Sequence, residues 1–398
     1  HVAALAARTE VERVALDAEL RAPAPAAAPD GAPAEWNLEA IGAPQAWQLG
    51  ADGAGSVVAT LDTGADALHP DLAGGFRGGA FDWFDPFGQR ASPYDASGHG
   101  TEVLSVAVGG AHGGTAIGAA PGALWIAARI YDDSGAGTLG AIHQAFQWAL
   151  DPDGDPQSDD APDVLNGSFG LAGTLDECDD ELAPDVAALR AAEVALVFAA
   201  GNFGPGDRTS VSPANDPASV AVGASDTAGA VAPFSGRGPS ACEDALYPSL
   251  VAPGVAVRVA TLTFGGLFPN SYATREGTSV AAPHVAGAFA LLRSAHPQAS
   301  LAALEAALAW GALDVGEPGP DHASGHGALD VMGALARLED FDGDGVVGIG
   351  IDDVCPWHAG PPERAGCPMP ASGCGLGAEL LVALAALRAR RRAVRGAR

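Results

Sequence analysis

Gly277-Thr278-Ser279-Val280-Ala281-Ala282-Pro283-His284-Val285-Ala286-Gly287 is the stretch from which the rest of this 398-residue chain is best read. A serine follows Gly-Thr and opens an apolar run from Val280 to Leu292, which predicts a buried helix. Pro283 is compatible with that helix because it falls close to its start. Ser279 would then stand at the positive end of the helix, where developing negative charge is stabilised. Any buried helix could open with Gly-Thr-Ser, so the stretch alone does not decide between a structural serine and a nucleophile. A nucleophilic serine needs a base, and the base needs an orienting carboxylate.

Both are found upstream. Ser56-Val57-Val58-Ala59-Thr60-Leu61-Asp62-Thr63-Gly64 is a short apolar run ending in Asp-Thr-Gly. It reads as a central strand that delivers a carboxylate at its carboxyl end, where open α/β sheets place their sites. Gly98-His99-Gly100-Thr101 opens a second apolar segment, Val103 to Val108, and puts His99 at a loop-to-helix junction. In order, local sequence and approximate separation, Asp62, His99 and Ser279 resemble the catalytic triad of the subtilisin-like serine proteases, the subtilases. Val280 departs from the methionine usual in that family. The resemblance implies a serine endopeptidase that cleaves proteins or peptides through an acyl-enzyme, with no cofactor required for catalysis.

Outward from these strings, strand and helix patterns alternate from Trp36 to about Leu338. Strand-like runs are Val57–Leu61, Leu124–Ile130, Val164–Asn166, Val194–Ala200 and Ser219–Val222. Helix-like stretches are Thr101–Gly109, Gly140–Leu150, Asp185–Ala192, Ser279–Arg293 and Ser300–Trp310. Alternation of this kind predicts an α/β fold: a doubly wound, mostly parallel sheet with helices on both faces.

Further strings extend the resemblance. Val197-Phe198-Ala199-Ala200-Gly201-Asn202 ends an apolar strand in Gly-Asn, and by resemblance Asn202 donates to the oxyanion together with the Ser279 backbone N–H. Asn166-Gly167-Ser168-Phe169-Gly170 resembles the segment that pairs with an extended substrate and walls the primary pocket. Ser168, Phe169, Gly170 and Gly201 are therefore the expected substrate-binding residues, and Phe169 with Val211 points to medium apolar side chains. Gln147-Trp148-Ala149-Leu150, Ala161-Pro162-Asp163-Val164 and Ala191-Ala192-Glu193-Val194 narrow the likeness to bacillopeptidase F-like members. One departure is Glu102, where the family usually has a second histidine; a carboxylate there is expected to raise the His99 pKa.

The formal charge of −29 and a pI near 4.4 argue against nucleic-acid binding. They suit a solvated, soluble, extracytoplasmic bacterial protein, expected as a monomer. Residues 1–21 resemble the end of an inhibitory propeptide, so the chain's own N-terminal segment is an expected inhibitor. Residues 22–34, rich in Ala and Pro, read as a linker. The catalytic domain is expected over 35–338, a calcium-repeat-like, disulfide-containing module over 339–370, and a sorting or anchor tail over 371–398.

In the module, Asp340, Asp342 and Asp344 alternate and close on Gly345, a pattern that suits calcium. Within the catalytic domain, Asp71 matches a frequent calcium-ligand position of the family, yet the later loop Gly110-Ala111-His112-Gly113-Gly114 lacks the usual Asn. Asp151-Pro152-Asp153-Gly154-Asp155 reads as a solvated acidic loop before it reads as a calcium loop. Five cysteines suggest an oxidising compartment. Cys178 and Cys242 are candidate partners, as are Cys355 and Cys367. Cys374, the apolar Leu380–Leu387 and six arginines in the last eleven positions resemble myxobacterial C-terminal sorting tails, which implies membrane or envelope association. The apolar run is far shorter than the roughly 20 residues of a membrane span.

Two rivals stand beside this reading. Asp62-Thr63-Gly64 and Asp133-Ser134-Gly135 are the paired motifs an aspartic protease would use, but that fold is all-β and the alternation opposes it. The other is a non-catalytic calcium-binding surface adhesin on a protease scaffold.

Overall fold

The computed structural model of the chain describes residues 17, 19–21, 26–27 and 35–339. Its centre is a seven-stranded parallel sheet in the order β10-β9-β8-β7-β3-β5-β4. The strands are β3 (Val57–Asp62), β4 (Trp83–Phe84), β5 (Leu124–Arg129), β7 (Val164–Gly167), β8 (Ala195–Ala199), β9 (Val220–Ser225) and β10 (Leu250–Pro253). Two small antiparallel sheets accompany it. One pairs β1 (Glu19–Arg21) with β6 (Ala136–Thr138); the other orders β11 (Val257–Ala260), β12 (Tyr272–Glu276) and β2 (Ala26–Ala27). Nine helices are described: α1 (Trp36–Ala40), α2 (Ala43–Gln48), α3 (Pro70–Ala73), α4 (His99–Val108), α5 (Leu139–Leu150), α6 (Ala183–Ala191), α7 (Thr278–Ala295), α8 (Leu301–Gly311) and α9 (Val331–Glu339).

The apolar runs of the sequence become the buried inner strands because residues on both faces must be covered by helices. Alternate residues Ala59, Leu61, Ile126, Ala128, Leu165, Leu196 and Phe198 form one cluster with Ile142 and Phe146 of α5 and Val186 and Leu189 of α6. Helix α7 packs on β7, β8 and β9 and on α4, and contributes nothing to that cluster, so it covers the opposite face. It is buried almost all round from Thr278 to Leu292, which explains a composition with no polar stripe.

The chain moves from β3 to β5 on one side and then returns to β7 on the other. The strand order therefore switches at β3, and the crevice beyond the carboxyl ends opens there. Asp62 is the last residue of β3.

The doubly wound sheet agrees with the alternation in the sequence, and each predicted strand and helix lies within about two residues of an observed one, except that β9 runs on to Ser225. The short strands β4, β6, β10, β11 and β12 were not legible. β12 is half-buried at every position, so its sequence carries no alternation, and backbone pairing alone defines it. The expected linker contains strand β2; its other residues lie outside the described ones. Cys178 and Cys242 are joined in a disulfide. Cys355, Cys367, Cys374 and the Asp340, Asp342, Asp344 set lie outside the described residues. Among the described residues no helix is long and apolar enough to cross a membrane.

Candidate active site

Asp62 is fully buried, and its Oδ1 accepts the Thr63 backbone N–H at 2.7 Å. His99 is the first residue of α4 and only 3% exposed. Its Nδ1 lies 2.7 Å from the same Asp62 oxygen, so Nδ1–H donates there and leaves Nε2 as the basic nitrogen. The helix reaches the strand end because residue 100 has no side chain: a Cβ on Gly100 would stand 2.2 Å from Gly64 O. Asp95, four residues before His99, locks the junction. Its buried carboxylate accepts from Thr63 Oγ1, from Thr101 Oγ1 and from the N–H groups of Ser97, Gly98 and Thr101. The sequence reading passed over Asp95; its signal was an Asp in a turn just ahead of a helix start, a common capping arrangement.

Ser279 is the second residue of α7 and half-buried. The preceding Gly277 has φ +139°, and a Cβ there would lie 3.1 Å from Ser279 Oγ and 3.4 Å from Asn202 Nδ2. Only glycine suits both that backbone and that space. Asn202, just beyond β8, is oriented by Thr278: its Oδ1 accepts from the Thr278 N–H and from Thr278 Oγ1, both at 2.9 Å. The amide nitrogen is thereby left free beside the serine hydroxyl. Among the described residues, His99 Nε2 and Asp62 Oδ2 are buried without a hydrogen-bond partner.

Pro283 lies inside α7 and cannot donate to the carbonyl four residues back, which is that of Ser279. Ser168 Oγ donates to Ser279 O instead, at 2.9 Å, and itself accepts from Asn166 Nδ2 at 3.0 Å. The segment after β7 is thus tied to the helix that carries Ser279. Ser168, Phe169, Gly170, Gly201, Asn202 and Ser279 line one cavity of 370 Å³. Leu171, Leu175 and Val211 complete a mostly apolar wall.

Burial opposes a charged His99, but Asp62, then Glu102 and Asp95, outweigh it and raise its pKa. Glu102 is itself buried, which raises its own pKa, and Arg275 opposes that by donating Nε to Glu102 Oε1 at 3.0 Å, with Nη2 in ion-pair contact 2.8 Å from the same oxygen. The arginine was not foreseen. A second buried histidine, His284, sits between the Val280 carbonyl, 2.9 Å from Nδ1, and Asn37 Nδ2, 2.9 Å from Nε2. Burial lowers its pKa to about 4, so it is a neutral packing group.

Both Asp71 carboxylate oxygens are engaged by protein donors. One carboxylate oxygen accepts from Tyr272 OH at 2.7 Å and the other from the His112 N–H at 2.5 Å. The Arg258 guanidinium covers the Tyr272 ring at 4.3 Å and donates to Thr115 Oγ1. Asp151, Asp153 and Asp160 offer carboxylate oxygens within 4.8 Å of one another. Their loop is knitted by its own bonds: Asp153 Oδ1 accepts from the Asp155 N–H and from Ser158 Oγ, and Asp160 Oδ2 from the Asp153 N–H.

The chain's N-terminal part pairs with two strands, one of which leads to this site. Glu19, Leu20 and Arg21 pair antiparallel with Thr138, Gly137 and Ala136 of β6. Ala26 and Ala27 pair antiparallel with Glu276 and Arg275 of β12, the strand that runs into Gly277-Thr278-Ser279.

Comparison with known proteins gives a match between the Subtilase family and residues 53–327. The chain is 38% identical over 346 residues to bacillopeptidase F of Bacillus subtilis (strain 168), covering 81% of this chain and 23% of that protein. It is 34% identical over 248 residues to subtilisin of Bacillus pumilus, covering 62% and 79%, and equally identical over 248 residues to subtilisin E of Bacillus subtilis (strain 168), covering 62% and 57%.

Proposed function

This chain belongs to the subtilase family, and from that premise we propose that it is a serine endopeptidase acting on proteins or peptides. Ser279 Oγ attacks the scissile carbonyl, His99 Nε2 takes its proton, and Asp62 holds the imidazole in the tautomer that leaves Nε2 free. The tetrahedral oxyanion is held by Asn202 Nδ2 and the Ser279 N–H at the start of α7, donors fixed before charge develops. Collapse of that intermediate expels the amine, protonated by His99, and leaves an acyl-enzyme that water hydrolyses by the same steps. No cofactor is needed for this chemistry.

The single observation that carries the reading is the buried Asp62–His99 contact of 2.7 Å with its outer nitrogen unpartnered. Support for the oxyanion role comes from Asn202, whose oxygen is held by Thr278 so that its nitrogen faces Ser279. The substrate lies extended along Ser168, Phe169 and Gly170, with one side chain in the 370 Å³ cavity. The chain's own segment is its inhibitor, a reading supported by the pairing of β1 with β6 and of β2 with β12, the strand that leads to Ser279. The protein works outside the cytoplasm as a monomer, and calcium and the Cys374 tail belong to the region beyond 339.

A fluorophosphonate probe tests this. Labelling is expected for the parent and lost in Ser279→Ala, and turnover of a peptide ester should collapse in Ser279→Ala, His99→Ala and the triple variant with Asp62→Ala to similar levels, because the three act as a unit. Near-normal turnover in Ser279→Ala would end the proposal.

A further inference from the structure

We infer that the ion pair between Glu102 and Arg275 positions the reacting groups: it ties the helix that carries His99 to the strand that delivers Ser279, and it balances the charge beside the imidazole. This rests on the serine-protease reading above. Glu102 lies one turn along α4 from His99 and is only 3% exposed. Arg275 lies on β12, two residues before Gly277, where the chain turns into α7. Its Nε and Nη2 converge on one oxygen, Glu102 Oε1. A guanidinium held through two of its nitrogens cannot swing about a single bond, as a lysine would. A shift of β12 relative to α4 therefore strains this pair before it separates nucleophile and base.

The charges that act on His99 come from three elements, with a fourth behind them. Asp62 reaches it from β3, Asp95 from the loop before α4 and Glu102 from α4 itself. All three are negative. Arg275 is the positive group, brought up by β12 behind Glu102. Without it, a third carboxylate would stand unbalanced in a buried site. Without Glu102, the imidazole would lose one of the three carboxylates that raise its pKa, and the Arg275 cation would be left without that partner. Arg275 and Glu102 are positioning residues, since neither itself lines the cavity.

The experiment is the pH dependence of the rate of labelling by a fluorophosphonate, measured on the full chain for the parent, Glu102→Gln, Glu102→Gln/Arg275→Gln and Arg275→Lys. Labelling of the parent, absent in Ser279→Ala, tests the underlying reading by itself; an unlabelled parent overturns that reading and this inference together. With the parent labelled, the acid-side midpoint should fall by about one pH unit in Glu102→Gln, where Arg275 is left alone, and recover part of that fall in the double variant. The plateau rate should drop about tenfold in both, as expected for a small displacement of base from nucleophile. An unmoved midpoint in Glu102→Gln, or a double variant with the midpoint of the single, overturns the inference while leaving the protease reading intact. Should Glu102→Gln fail to fold, Arg275→Lys decides: it keeps the charge and loses the two-nitrogen clamp, so the plateau should fall with the midpoint unmoved. A moved midpoint with an unchanged plateau would be the contrary result.

Discussion

Asn202 shows what one residue's surroundings do to its chemistry. Its oxygen is occupied by two Thr278 donors, so the side chain cannot turn its acceptor toward a developing oxyanion. Asn202→Ala should lower turnover by about 10²–10³, a magnitude taken from the equivalent loss in a subtilisin, with little change in KM. Steady-state kinetics on a peptide ester separate the two constants, and an effect confined to KM would contradict the role. His99 makes the second prediction at this scale. Asp62, Glu102 and Asp95 raise its pKa against the opposing effect of burial. The base works only when neutral, so kcat/KM should fall on the acid side with a midpoint above the ordinary histidine value of about 6.5. A midpoint below that value would mean burial wins.

At the level of elements, α7 is where backbone chemistry and the site meet. A proline in its second turn leaves the Ser279 carbonyl without a helical partner, and the segment after β7 supplies one through Ser168 Oγ. Ser168 is 2% exposed, and Ser168→Ala leaves the Ser279 carbonyl without this donor. The expected cost is about 1–3 kcal/mol in stability, from a group left unpaired rather than from the bond itself. Thermal unfolding in the Ser279→Ala background measures it without self-digestion. Turnover should drop as well, because the same bond aligns the substrate-pairing segment with the nucleophile; an unchanged melting point and unchanged turnover would show that the contact is idle.

For the molecule as a whole, acid should lower stability through a buried histidine outside the Asp62, His99 and Ser279 set. His284 is neutral in the fold, with its pKa lowered to about 4, whereas in the unfolded chain it protonates at the ordinary value. Between those two values the unfolded state binds the extra proton, so stability rises with pH across that window. Its contribution is complete above about pH 6.5 and lost by about pH 4, a change of about 3 kcal/mol. His284→Gln should flatten the fall in melting temperature across this range, even if the variant is less stable at neutral pH. A parent whose melting temperature does not fall between pH 6.5 and pH 4 would place the proton elsewhere. Asn37, which reaches His284 from α1, couples the N-terminal helices to the same event.

By itself the sequence determined the five inner strands of the sheet from β9 to β5, the buried helix and the strings around Asp62, His99, Asn202 and Ser279. Each depends on local pattern: apolar runs of strand length, a Gly-Thr-Ser helix start, an Asp at a strand end. It also carried Cys178 and Cys242 as candidate partners, though not the register that joins them. The tertiary structure alone decided what stands beside these groups. Arg275 reaches Glu102 across 173 residues, Ser168 reaches Ser279 across 111, and Tyr272 reaches Asp71 across 201. No window along the chain contains such pairs, because they form only when strands and helices from distant segments pack together. Burial likewise set the two histidines apart: His99 lies against carboxylates and is raised, while His284 lies among backbone and amide groups and is lowered. A side chain's type is written in the sequence, but its charge state depends on the neighbours that folding brings to it.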